Sequence, residues 1–357
     1  MRTVLVKLFT LSALVVASFS ATVSPSLAQA KKKFTLAWTV YVGWMPWPYA
    51  AEASIVKKWA DKYGIKIDVV QVNDYVESIN QFTAGKVDAV TAANMDALTI
   101  PAAGGVDTSV VIVGDFSNGN DGIVLKGTSK LSDIKGRKVN LVEMSVSHYL
   151  LARALSTVGL KEKDVKTVNT SDADIVAAFS SADSKAVVTW NPQLSEAKAL
   201  KGANLVFDSS KIPGEIIDTT IVRGDVLKDN PDFAKALTGI WYETIAIMAK
   251  DKEGVTARES MAKASGTDLA GFDDQLKTTR MFYDAKEAVE FTKSAGLVTT
   301  MDNVRKFSFA HGLLGEGAKS VDVIGIAFPG GKTLGNAKNV KLRFDSSFME
   351  MAAAGKL

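Results

Sequence analysis

The chain has 357 residues and no cysteine, so no disulfide holds it and no thiol chemistry is open to it. Its formal net charge is +3. Setting aside Arg2 and Lys7 leaves 40 basic against 39 acidic residues, a balance with no electrostatic footprint for nucleic acid.

Arg2 and Lys7 flank the start of an apolar run, Leu8 to Phe19, that is too short to span a bilayer, and Ala28-Gln29-Ala30 offers small residues at the spacing a signal peptidase reads. This predicts a secretory signal peptide over residues 1–30, cleaved after Ala30, and a periplasmic protein without a lipid anchor. The remaining 327 residues exceed one ordinary core and suit two lobes. Phe34 to Val40 reads as a buried strand, Tyr41 to Pro48 as a loop, and Tyr49 to Tyr63 as a helix stopped by Gly64. Ile65 to Val72 is the next strand, Tyr75 to Ala84 a helix closed by Gly85, Val87 to Ala92 a strand, and Asn94-Met95-Asp96 the loop beyond it. This alternation predicts a mostly parallel sheet with helices on both faces.

The pattern recurs. Lys138 to Val142 reads as a strand, Glu143 to Ser147 as a loop and His148 to Val158 as a helix, and the segment Gln81 to Asn94 resembles Ala178 to Asn191 at a constant offset of 97 positions. Phe82 falls on Phe179, Val90 on Val187 and Asn94 on Asn191. Between the halves, Val111 to Ile123 and Glu215 to Val222 are extended apolar runs, each interrupted by a carboxylate, as two hinge strands would be. The expected architecture is α/β, a two-lobe clamshell, with lobe I built from residues 31–115 and 219–357 and lobe II from 116–218. Helical patterns at Phe233–Ala249, Thr256–Ala264, Lys286–Ala295 and Met301–Leu313 are expected to pack around lobe I.

Ligands of open parallel sheets sit beyond the carboxyl ends of the strands. Facing lobes would bring six segments to one cleft: Tyr41–Pro48, Asn94–Asp96, Asp115–Asp121, Glu143–His148, Trp190–Pro192 and the surroundings of Asp218. These carry tryptophans and carboxylates, no Arg or Lys, and His148 as their one potential cation. An anion needs positive charge or many donors, whereas a donor-rich cation suits carboxylates and aromatic faces. The predicted ligand-binding residues are Trp44, Asn94, Asp96, Asp115, Glu143, Ser145, Trp190, Asn191 and Asp218. Competing structural roles are helix caps for Asp96 and Ser145 and a turn for Asp121. Trp38, Trp59 and Trp241 read as core. His148 and His311, the only histidines, are far apart in sequence and match no metal-ligand spacing; no phosphate loop or nucleophilic triad can be argued.

The stretches VVIVGDFSNGNDGIV, VNLVEMSVSHYLLARAL and AVVTWNPQ resemble the periplasmic substrate-binding proteins of nitrate/taurine-type ABC importers, in the subgroup associated with urea-carboxylase-type genes. The resemblance covers the whole chain after residue 30. It implies a two-lobe clamshell that hands a small molecule to an inner-membrane ABC permease; the internal repeat flanked by hinge segments predicts a monomer, and neither a cofactor nor an enzymatic activity is expected. It implies urea or guanidine as ligand, and the cation-free loops favour guanidinium over urea and disfavour nitrate and taurine. An enzyme on the same fold, a thiamine-pyrimidine synthase, would call for a cysteine-rich iron site; a sensor that docks on a membrane kinase is a third possibility.

Overall fold

The computed structural model describes residues 31–357; the predicted signal segment lies outside them. Among the described residues, fourteen strands form two sheets. β1 (Lys33–Trp38), β2 (Lys66–Gln71), β3 (Ala89–Ala93) and β4 (Thr108–Ser117) begin the first sheet. β5 (Asp121–Lys126), β6 (Lys138–Leu141), β7 (Lys166–Asn169), β8 (Ala186–Trp190) and β9 (Ala203–Asp208) make the second. β10 (Ile217–Arg223) returns to the first sheet and is joined there by β11 (Thr279–Met281), β12 (Gly325–Ala327), β13 (Thr333–Leu334) and β14 (Val340–Phe344). The first sheet runs β13-β12-β14-β4-β10-β3-β1-β2, with β11 on the end of β4, and the second runs β7-β6-β8-β5-β9.

Each sheet is the centre of one lobe. β1 pairs in parallel with both β2 and β3, and the connecting helices Ile55–Lys62 and Tyr75–Thr83 follow the apolar periodicity of the sequence. All five residues of β3 are buried, as expected of a strand covered on both faces. The 97-residue repeat has a structural counterpart. β3 lies between parallel β1 and antiparallel β10, and β8 lies between parallel β6 and antiparallel β5. Each is preceded by the helix that carries the matched phenylalanine, Phe82 or Phe179, fully buried in both cases. Among the described residues no helix is long and apolar enough to cross a membrane.

Two local expectations are corrected. The single helix over Tyr49–Tyr63 is two helices, Pro46–Glu52 and Ile55–Lys62, because Ser54 adopts a left-handed conformation with φ 62° that no helix continues through. The first hinge segment is likewise two strands rather than one: β4 ends at Ser117 and β5 starts at Asp121 in the other sheet.

The chain passes between sheets through residues 118–120 and again through residues 209–216. The strands flanking these passages, β4 and β10, lie antiparallel, and their register sets Asp115 directly opposite Asp218. Thr219 then faces Val113, so Gly114 is the extra residue of a bulge, a device that re-aims the neighbouring side chain. A Cβ on Gly114 would stand 2.8 Å from Cζ2 of Trp241. Trp241 cannot retreat: it is 2% exposed and packs on fully buried Trp47 at 5.5 Å between ring centres. Gly114→Ala is therefore expected to destabilise the protein by about 1–3 kcal/mol through overpacking. Denaturant unfolding reads this directly, and an unchanged midpoint would show that the indole yields.

Candidate binding site

Eight residues line a cavity between the two lobes: Tyr41, Trp44, Tyr75, Asp121, Val146, Trp190, Ile216 and Asp218. Tyr41 and Trp44 stand on the turn after β1, Tyr75 opens the helix that follows β2, Trp190 ends β8, and Val146 opens the helix Val146–Thr157 that follows β6. These are carboxyl ends of parallel strands, where side chains from both sheets converge. Trp44 and Trp190 are only 5% and 6% exposed, so the lobes are closed over the site. The void offers about 20 Å³ to the centre of a water-sized sphere. One water needs roughly 10–15 Å³ by that measure, so the void as it stands has room for one or two water-sized groups.

The walls are aromatic and form a chain of contacts. Tyr41 meets Trp44 edge-on at 5.0 Å, Trp44 lies 5.8 Å from Tyr75 at 32°, and Tyr75 meets Trp190 edge-on at 5.6 Å. Tyr75 and Trp190 come from different lobes, so this box is complete only in the closed form. The indole Nε1 of Trp44 is buried without a protein acceptor.

Behind and between the rings stand four buried carboxylates. Asp115 Oδ1 accepts from Tyr41 Oη at 2.8 Å, and an acid proton on Asp218 supplies a second bond to the same carboxyl group. Asp96 Oδ2 accepts from Tyr75 Oη at 2.6 Å, and that same hydroxyl accepts from the backbone N–H of Ala93 at 2.9 Å. Asp121 Oδ2 accepts from Ser117 Oγ at 2.5 Å. Burial dominates the titration of all four. It pushes Asp96 up to about 7 against the pull of Tyr75 and of the Val146 N–H. It pushes Asp115 to about 7 against bonds from Tyr41 and Asp218, and Asp121 to about 6 against the bond from Ser117. Asp218 is raised well above the usual carboxylate range, by burial and then by the charges of Asp115 and Asp121. Tyr41 and Tyr75 are also raised well above the ordinary phenol value, by burial and neighbouring carboxylates, and so remain neutral donors. Among the described residues no lysine, arginine or histidine forms an ion pair with any of the four. The ion pairs present engage other acids, such as Arg153 with Glu215 and Arg258 with Asp273.

The structure sorts the residues predicted from sequence. Trp44, Trp190 and Asp218 line the cavity, and Asp96 and Asp115 stand directly behind it, each bonded to a lining tyrosine. Asn94 ties β3 to the return strand, with Nδ2 donating to Glu215 O at 3.1 Å and Oδ1 accepting from Ile217 N at 3.1 Å. Asn191 accepts from Ser195 N and Oγ, bracing the cis Asn191–Pro192 turn. Ser145 caps the helix Val146–Thr157, accepting from Ser147 N and donating to Val142 O. Glu143 is half-buried on a separate outer cleft with Asp74, Glu77 and Asn169.

Tyr75 was missed, although an aromatic residue just after a strand's carboxyl end and its helix cap Asp74 is a readable signal. Asp121, read as a turn residue, instead opens β5 with its side chain in the cavity wall. His148 is no cation for this site. It turns to Glu162, as does His311, so the two histidines that look far apart are neighbours, with ring centres 5.4 Å apart. The three ligand-type atoms lie within 4.8 Å of one another, a spacing that can hold a metal ion and that no sequence pattern foretold.

The profile of the "NMT1/THI5 like" family matches residues 57–254. A protein of Brucella abortus (strain 2308) that bears a binding-protein name is 25% identical over 231 residues, which are 60% of this chain and 70% of that one. The taurine-binding periplasmic protein of Escherichia coli K12 is 24% identical over 182 residues, half of this chain and 56% of that one. Among solved structures, the alkanesulfonate-binding protein SsuA from Xanthomonas axonopodis pv. citri, bound to MOPS, superposes with a TM-score of 0.66 at 18% identity, covering 80% of this chain and 96% of that one. The chain belongs to the NMT1/THI5-like family and has the fold of the periplasmic binding proteins.

Proposed function

We propose that the protein is the substrate-binding component of a periplasmic ABC importer and that it captures guanidinium between its lobes. The observation that carries the ligand assignment is the set of four buried carboxylates around an aromatic box with no cation among them. Such groups are stable as charges only when a cation joins them. Relatives are named for taurine and alkanesulfonates, and the sulfonate group of such a ligand would meet uncompensated negative charge here. Guanidinium is planar, donates in several directions, accepts nothing and stacks on aromatic faces. Urea is the second reading, favoured by one feature: the unpartnered Trp44 N–H is a donor that a carbonyl would satisfy.

Calorimetry with guanidinium, urea, taurine and nitrate tests the assignment. Guanidinium should bind most tightly, and Asp218→Asn should weaken it at least tenfold, since a charge-assisted hydrogen bond contributes about 1.5–3 kcal/mol. The same change should affect urea less. Trp190→Ala should also weaken binding severely, because it removes one wall of the box. Tight binding of taurine or nitrate without guanidinium binding would end the cation reading.

The raised carboxyl groups also set a pH dependence. Their folded values lie above the unfolded ones, so their contribution to stability is fully present below about pH 4 and is lost as pH rises through about 6 to 7. A cation binds the ionised form and reverses that loss. Guanidinium affinity should therefore climb between about pH 5 and 7, with proton release. The shift in Tm produced by millimolar guanidinium should grow over the same range, and a flat dependence would show that the acids do not face the ligand.

A further inference from the structure

The helix Val146–Thr157, whose first residue lines the cavity, carries a second set of titratable groups two residues further on. His148 Nε2 lies 2.6 Å from Glu162 Oε1, and His311 Nε2 lies 2.6 Å from Glu162 Oε2. One carboxylate thus takes both rings, one on each oxygen. His148 and Glu162 lie between the two inter-sheet passages and belong to the second lobe. His311 ends the helix Ala295–Ala310, which is anchored on the first lobe by Met301, whose Sδ accepts from Asn94 Nδ2. The cluster therefore spans the cleft.

The other ring nitrogens fix where the protons are. His148 Nδ1 accepts from the backbone N–H of Met144 at 3.2 Å. Met144 holds that N–H in place with φ 62°, a left-handed conformation disfavoured for a residue with a side chain. The proton of a neutral His148 is then on Nε2, facing Glu162. This also argues against a metal at the cluster, because Nε2 would have to give up that proton to act as a ligand. His311 is different. Its Nδ1 is 2.8 Å from Phe307 O, an acceptor, so Nδ1 must donate. Its Nε2 faces a carboxylate oxygen and must donate as well. Both bonds exist together only in the imidazolium form, whose ring also lies 4.0 Å from the Phe307 ring at a 30° tilt. Glu162 is pushed up by burial but held below its ordinary range by the bonds from His148 and His311.

The neighbouring charges are committed elsewhere. On the His148 helix, Tyr149 and Arg153 both bond Glu215. On the His311 helix, Arg305 is held by Asp302 and Asp322, and Lys306 by Asp302. In the Glu162 turn, Asp164 accepts from Lys161 N. The side chains of Lys161 and Lys163, in that same turn, are the remaining charges.

We propose that His148, Glu162 and His311 form an inter-lobe clasp loaded by one proton, so that closing the lobes takes up a proton at His311. The inference does not depend on which ligand the cavity takes, and ligand-free protein tests it. Because the chain has no cysteine, Lys86→Cys and Lys201→Cys, exposed positions in different lobes, accept spin labels for inter-lobe distance measurement. The closed-to-open ratio should fall about tenfold between pH 6 and pH 8, the scale of one charge-assisted bond. In His311→Gln, whose amide can donate but not titrate, the ratio should be flat over that range. Glu162→Gln should favour the open form at both pH values. The same pH profile in His311→Gln as in the parent, or no profile in the parent, overturns the proposal. Closure driven by micromolar Zn2+ at pH 7.5 and abolished by His311→Gln would make the cluster a metal site and overturn it as well.

Discussion

Two aspartates face each other across the pair of antiparallel strands that join the lobes, and much of the molecule is arranged around that juxtaposition. Like charges directly opposite in a sheet are unfavourable even at a surface, and Asp115 and Asp218 are buried. A fold that keeps them has three remedies: protonate one, supply a donor, or admit a cation. The first two are visible. The pair is raised in pKa, and the Tyr41 hydroxyl donates to Asp115. The third is the function proposed for the cavity, and it explains why the protein's own remedies are partial. A buried lysine in place of the ligand would settle the charge permanently and leave nothing to bind.

The position of this pair would tie binding to closure. β4 and β10 lead directly into the passages between sheets, so the proposed cation at Asp218 would act on the hinge itself, and Trp190 and Tyr75 face the cavity from opposite lobes. Contacts that exist only when both lobes meet favour the closed state by their differential energy. Other cross-lobe bonds add to this. The backbone N–H of Tyr75 donates to Asp172 Oδ1 at 3.2 Å, and Asp96, from the first lobe, feels the N–H of Val146 at the start of a second-lobe helix. The His311 clasp belongs to the same class of contact, with a proton in the role of the ligand.

The sequence was informative wherever apolar periodicity determined structure. The strand-helix alternation through Ala92, the internal repeat and the two apolar runs broken by Asp115 and Asp218 all have counterparts in the sheets, because buried strands must be apolar and a buried acid stands out among them. It was uninformative where a single backbone angle decides the outcome. Nothing in the composition of Tyr49–Tyr63 marks Ser54 as left-handed. Asp121 was lost for a related reason. In Asn118-Gly-Asn-Asp-Gly it has the composition of a turn, and only strand pairing with Trp190 reveals it as the first residue of β5. Asn94 and Asn191 show the converse: polar residues beyond strands that serve the backbone rather than the cavity.

The proposed ligand reading rests on composition at the strand ends, and that composition depends little on which individual residues reach the cavity. Individual residues moved in or out of the wall: Glu143 and Ser145 left it, Tyr75 and Asp121 entered. The chemistry did not change, because every exchange replaced one acid or neutral donor with another, and no exchange introduced a cation. Charge type is a property of the whole set of cleft segments, so it tolerates errors in choosing individual residues. A site assignment needs the direction of each side chain, which the sequence does not carry. The sign of the ligand's charge needs only the sum. The same distinction explains the histidines. Their meeting at Glu162 depends on how the Ala295–Ala310 helix lies against the second lobe, a tertiary fact with no local signature in the chain.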